Sequence, residues 1–155
     1  MKQHNYALKI NRTCNIGSGN NSYKSYERSF EVSLKEKEII NGSSDPSFNG
    51  DKTKYNPEEL LLALMSSCHM LWYLHLCADD GIIVTGYIDN AEGIMVENDN
   101  GIGKFKQVIL KPVINVTENL MIEKATLLHA KANKPCFIDN SVNFKISHQP
   151  VILTN

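Results

Sequence analysis

Residues 56–81 read NPEELLLALMSSCHMLWYLHLCADDG, and this stretch decides the fold. Asn56 can cap a helix, Pro57 suits the first helical position, and Glu58 and Glu59 complement the helix dipole. Leu60 to Ala78, 19 residues, contains no Asp, Glu, Lys or Arg. A helix of that length would just span a bilayer. Ser66, Ser67, His69 and His75 within the run, acids at both ends and the lack of a basic flank argue against a membrane span. An all-round apolar helix is instead expected to be central, covered by sheet, by other helices or by a partner chain. Asp79-Asp80-Gly81 closes it.

On the N-terminal side, apolar and polar residues alternate from Tyr6 to Thr13 and resume through Leu34 after the Gly, Asn and Ser cluster at 15–21, which predicts a hairpin. Tyr26, Arg28, Phe30, Val32 and Leu34 share the apolar face of its second strand. An arginine on such a face must find an anion or reach solvent. Residues 41–55 form the longest cluster of turn formers, read as a flexible loop. On the C-terminal side, strands are predicted over 82–89, 94–96 and 105–116, with a turn at 98–103. Met121, Ala125, Leu128 and Ala132 recur at helical spacing in a second helix that Pro135 stops just before Cys136. A last strand is predicted over 143–148, with 151–153 continuing it. The order implies an α+β fold of antiparallel sheets with a long central buried helix and a second helix, in a single domain over 1–155.

Sixteen Lys plus Arg against seventeen Asp plus Glu leave a net charge of -1, so neither nucleic acid nor an anionic membrane is an expected partner. With 42% hydrophobic and 21% charged residues the composition is that of a globular chain. The first residues carry no apolar run or cleavage signal, so a cytoplasmic location is expected. No glycine pattern for a dinucleotide or a P-loop occurs, and no nucleophile elbow frames Ser66, Ser67 or Cys68.

The four cysteines, Cys14, Cys68, Cys77 and Cys136, are either small buried hydrophobes or reagents. Cys68 lies roughly 18 Å from the start of its helix, too far for the helix N-terminus to favour its thiolate, so a reactive Cys68 needs a separate cation. Cys77 points to the opposite helix face. Cys136, after the second helix, can approach Cys68 if the two helices pack, which makes Cys68 and Cys136 the sensible redox pair. A metal would draw on Cys68, His75 and Cys136, or on His69 with them, but no C-x-x-C or H-x-x-x-H spacing is present. No metal and no cofactor are expected.

The run Asn56-Pro57-Glu58-Glu59-Leu60, Cys68 ten residues after Glu58, and Cys136 behind His129 resemble the OsmC/Ohr family of thiol-dependent peroxidases over nearly the whole chain. Ser67-Cys68, Cys136-Phe137-Ile138 and Ser141-Val142-Asn143-Phe144 are most similar to its OsmC-like subgroup. The resemblance implies that Cys68 attacks the peroxide O–O bond, that Cys136 resolves the sulfenic acid to a disulfide, and that a dithiol, lipoyl-type in relatives, resets the enzyme. It also implies an arginine that holds the thiolate and an acid, here Glu58, that holds the arginine. Some members supply the arginine from the loop before NPEEL, where this chain has Asn49 and no arginine. Arg28 is the substitute, with Arg12 second. His69 stands where the family often has Phe, as a local polar contact or a tuning group.

Glu58 is about 15 Å below Cys68 on a continuous helix, so a partner chain would have to bring them together, and the resemblance implies an intertwined homodimer with sites at the interface. Met65, Leu71 and Trp72 around Cys68 would favour organic hydroperoxides over hydrogen peroxide. The rival readings are a non-enzymatic dimer binding a small apolar ligand, with structural cysteines, and a structural zinc protein.

Overall fold

The computed structural model describes residues 2–15, 17 and 19–154. It divides into two compact units, Met1–Leu61 and Leu62–Asn155. In the first, β1 (Lys9–Arg12) pairs antiparallel with β2 (Phe30–Ser33), placing Arg12 opposite Phe30 and Lys9 opposite Ser33. The expected hairpin therefore forms, with Arg28 just before β2 rather than inside it. β3 (Ile40–Gly42) adds to the other edge of β2.

Residues 41–55, expected to be a flexible loop, are instead tied by hydrogen bonds. Asp45 Oδ1 accepts from the Ser47 amide at 2.7 Å, the Asp45 carbonyl accepts from Phe48 and Gly50, and Ser43 Oγ accepts from the Asp51 amide. Short polar side chains that bond to nearby backbone give such a segment its own order. Gly50 is required there, because a Cβ would sit 1.5 Å from the Ser44 carbonyl oxygen.

The long helix α1 (Pro57–Asp79) starts where the sequence places it. The Glu59 amide donates to Asn56 Oδ1 at 2.7 Å and the Asn56 amide donates to Glu59 Oε2 at 3.0 Å, a reciprocal box that satisfies two donors at the helix start. Asn56 also donates to Asp45, fastening the loop to the cap. Among the described residues of the first unit the buried ones are Ser29, Gly42, Ser43 and Asn56, so no hydrophobic side chain of this unit is buried.

In the second unit α1 buries one stripe, Met65, His69, Tyr73 and Cys77, four residues apart. The expectation of cover on every side is not met within one chain: Leu64 and Leu71 are 53% and 63% exposed. By length and composition α1 could cross a membrane, but here its stripe is part of a packed core. After it come β4 (Val84–Asp89), β5 (Glu92–Glu97), β6 (Gly103–Leu110) and β7 (Pro112–Val116). The single strand expected over 105–116 is thus two strands in different sheets. Pro112 has no amide hydrogen to continue a ladder, and Asp89 Oδ1 takes the Lys111 amide at 2.7 Å, fixing the break.

Helix α2 (Ile122–Ala132) follows, then β8 (Lys145–His148) and β9 (Val151–Thr154), separated at Gln149-Pro150. β4 and β7, and β5 and β6, pair antiparallel, whereas β8 runs parallel to β6 and β9 parallel to β7. The α+β architecture holds, with mixed rather than wholly antiparallel sheets. Tyr73 and Cys77 of α1, Ala125, Leu128 and Ala132 of α2, and Ile114 and Val116 of β7 make the core with Ile82.

Replacing Asn56 by Ala removes the cap and the tie to Asp45, and is expected to cost about 1–2 kcal/mol. Urea unfolding should show the midpoint fall at unchanged slope; an unchanged midpoint would mean that the cap contributes nothing.

Candidate functional site

The stripe that α1 buries orients its neighbour. With His69 turned into the core, Cys68 lies at the edge of the stripe and is half-buried. Beyond α2 the chain is held by the Cys136 amide on the Asn133 carbonyl, and by Asn140, whose side-chain amide donates to the carbonyls of Lys134 and Cys136 at 2.9 Å. This places Cys136, fully buried, with its Sγ 2.8 Å from Cys68 Sγ, both as free thiols. Burial pushes the Cys136 thiol up from its ordinary pKa, and its hydrogen bond to Cys68 adds to the shift. The structure thus brings together the two cysteines that the sequence analysis singled out. Cys77 is buried in the core, and Cys14 lies in the first unit, where it donates to the Glu27 carbonyl.

The chain has two arginines, Arg12 and Arg28, and both belong to the first unit. Arg28 donates to the carbonyls of Tyr26 and Tyr23 and lies 4.1 Å and 4.8 Å over the same two rings. Arg12 lies 5.3 Å over Tyr26. Both arginines line a cleft of about 320 Å³ with Phe30, Ser43 and Pro57. Glu58, in the first turn of α1, is half-buried and pairs with neither of them. His75 does not join the cysteines: its Nε2 faces Asp79 Oδ2 at 3.4 Å on an exposed part of α1.

Beside the cysteines is a cluster that sequence reasoning left unassembled. His69 Nε2 and His129 Nδ1 share a hydrogen bond of 3.0 Å, the His129 ring stacks on Tyr73 at 3.9 Å, and the His148 ring lies 4.2 Å from that of His69. Burial lowers the pKa of His69 to about 3 and of His129 to about 4, the neighbouring histidines adding to the effect, and burial also lowers that of His148. All three are neutral at neutral pH. Asp139 is raised by burial, although its approach to the Cys136 thiol works the other way; neither of its oxygens has a hydrogen-bond partner of good geometry. The signal available in the sequence was periodicity: His69 and His129 fall on the buried stripes of α1 and α2. Nothing in the sequence marked Asp139 or Asn133.

The family model described as OsmC-like protein matches residues 50–150, well over half of the chain. The chain belongs to the OsmC-like family. The fold of an OsmC-like protein of unknown function from Vibrio cholerae is similar, with a TM-score of 0.85 at 24% identity over 96% of this chain and 100% of that one. An OsmC-like protein from Mycoplasma pneumoniae superposes with a TM-score of 0.71 at 14% identity, over 98% and 99% of the two chains. An organic hydroperoxide resistance protein from Elizabethkingia anophelis does so with a TM-score of 0.63 at 18% identity, over 99% and 100%. No curated protein matches the chain by sequence. At these identities the OsmC-like structures establish the fold.

The 2.8 Å approach of the two sulfurs makes a specific prediction. Mild oxidation of the OsmC-like chain with diamide should remove two of its four titratable thiols, with a Cys68–Cys136 peptide found by mass spectrometry. Either serine variant should lose the crosslink, and a crosslink through Cys14 or Cys77 in the unmodified chain would contradict the geometry.

Proposed function

We propose that this OsmC-like chain is a cysteine-based peroxidase that reduces organic hydroperoxides. The observation that carries the reading is the buried Cys136 thiol 2.8 Å from the more accessible Cys68. The division of labour follows from burial. Cys136 is held in its thiol form, which is a poor nucleophile, so Cys68 is the attacking group. Its thiolate attacks one peroxide oxygen, the O–O bond breaks, the alcohol leaves after taking a proton, and Cys68 becomes a sulfenic acid. Cys136 then attacks the Cys68 sulfur, forming the disulfide as water departs with the thiol proton. An external dithiol reduces the disulfide and is itself oxidised to a disulfide.

Two features support a homodimer as the working unit. The first unit buries no hydrophobic side chain of its own, and α1 leaves Leu64 and Leu71 uncovered, so both surfaces call for a second copy. The resemblance to the family calls for an arginine beside the Cys68 thiolate, and the two arginines of the chain are Arg28 and Arg12. We assign Arg28, with Glu58 as the acid that would hold it once released from the Tyr23 and Tyr26 carbonyls. Apolar neighbours of Cys68 and the names of relatives such as the Elizabethkingia protein favour organic over hydrogen peroxide. The need for a dithiol reductant fits the cytoplasm, where thiols are kept reduced.

The deciding assay follows consumption of cumene hydroperoxide and of hydrogen peroxide with dihydrolipoamide as reductant. The unmodified chain should turn over the organic peroxide preferentially, Cys68→Ser should fall to background, and Cys136→Ser should consume one peroxide per chain and stop. Full activity in Cys68→Ser, or no turnover of either peroxide by the unmodified chain, would refute the proposal. Arg28→Met should lower kcat/KM for peroxide without changing the yield of diamide-induced disulfide, which separates a role in peroxide attack from one in folding.

A further inference from the structure

We propose that His69, His148 and Asp139 form a binding site for a divalent cation of the zinc class, distinct from the cysteine pair. One ligand atom from each lies within 4.8 Å of the other two. A tetrahedral ion with bonds of about 2.0–2.1 Å holds its ligands roughly 3.3 Å apart, so the three groups need close by at most about 1.5 Å, within reach of side-chain rotation.

The partners already taken tell which atoms are free. His69 Nε2 is engaged with His129, and its Nδ1 makes no hydrogen bond of good geometry although the Asn133 side chain approaches the His69 ring; His148 Nδ1 faces Asn133 and its Nε2 has no hydrogen bond of good geometry. The oxygens of Asp139 make no hydrogen bond of good geometry and are approached by the Cys136 thiol, and all these atoms are shielded from solvent. Buried polar atoms normally find a partner, and a carboxylate without one is costly to keep. No lysine or arginine pairs with Asp139 among the described residues. One nitrogen from each histidine and a carboxylate oxygen, gathered this closely, are what a single cation would satisfy.

The surrounding groups are those a metal ligand uses to fix its tautomer. A ligating histidine donates its second N–H to a neighbour. His69 Nε2–H would donate to His129 Nδ1, and His148 Nδ1–H to the Asn133 side-chain oxygen once that amide is turned over from its approach to His69. The histidines are held neutral by their burial, the form that binds metal. Two imidazoles and one carboxylate with a fourth position open suit zinc, cobalt or ferrous iron better than calcium or magnesium, which take oxygen ligands.

The test separates this site from the thiols by using the Cys68→Ser/Cys136→Ser chain beside the unmodified one. Each is stripped with chelator, dialysed against zinc chloride, and weighed by native mass spectrometry. Both should retain one zinc per chain, and cobalt in the serine variant should give visible d–d bands of a nitrogen and oxygen site. Asp139→Asn and His148→Gln, checked for folding by circular dichroism, should weaken zinc by more than the roughly 10–100-fold typical of losing an outer-shell partner. No retained zinc in the unmodified chain, or zinc lost with the cysteines while both triad variants keep it, would overturn the proposal. Cobalt bound to the serine variant needs no triad substitution, so the test survives a variant that does not fold.

Discussion

The structure depends on the burial of one helical stripe. Met65, His69, Tyr73 and Cys77 stand four residues apart on α1, and turning them into the core of the second unit fixes the rotation of the helix. That rotation leaves Cys68 at the stripe's edge and drives His69 inward. Deleting one buried side chain of this size typically costs several kcal/mol, so the rotation is strongly specified. The placement of the Cys68 sulfur is therefore a consequence of packing that involves no sulfur chemistry.

The same burial divides the chemistry between neighbours. Cys136, fully enclosed, is kept as a thiol, while Cys68 retains access. His69, His129 and His148 pass into a low-dielectric region and stay neutral, with the His69 and His129 rings stacked with Tyr73 and the His148 ring tilted against His69. One compact region thus carries two kinds of potential reagent, a thiol pair and a set of neutral imidazoles beside a carboxylate. Asp139 joins them, since the three-residue 3-10 turn it opens follows directly on the Cys136 segment.

The first unit is governed by a different constraint. Its order comes from hydrogen bonds, with Asp45, Ser43 and Asn56 tying the loop to the helix cap, and none of its described apolar side chains is fully buried. A three-stranded sheet needs a hydrophobic face packed on something to be stable. Its arginines are held by tyrosine rings and, for Arg28, by carbonyls.

What the sequence determined by itself was local and periodic. The Asn56-Pro57-Glu58-Glu59 start of α1, the hairpin of β1 and β2 and the apolar spacing of α2 were legible because caps and periodicity act over a few residues. The pairing of Cys68 with Cys136 could be narrowed, since one helix cannot join Cys68 to Cys77, but the approach of the sulfurs needed α1 and the end of α2 in place. The order hidden in residues 41–55 was not legible, because it rests on side-chain to backbone bonds rather than on a repeat. The break at Lys111 was missed because an unbroken apolar alternation conceals a change of sheet that Pro112 and Asp89 impose. Only the tertiary structure decided the His69, His148 and Asp139 cluster, whose members come from a helix, a strand and a turn far apart in sequence and share no spacing rule, because burial and shape bring them together.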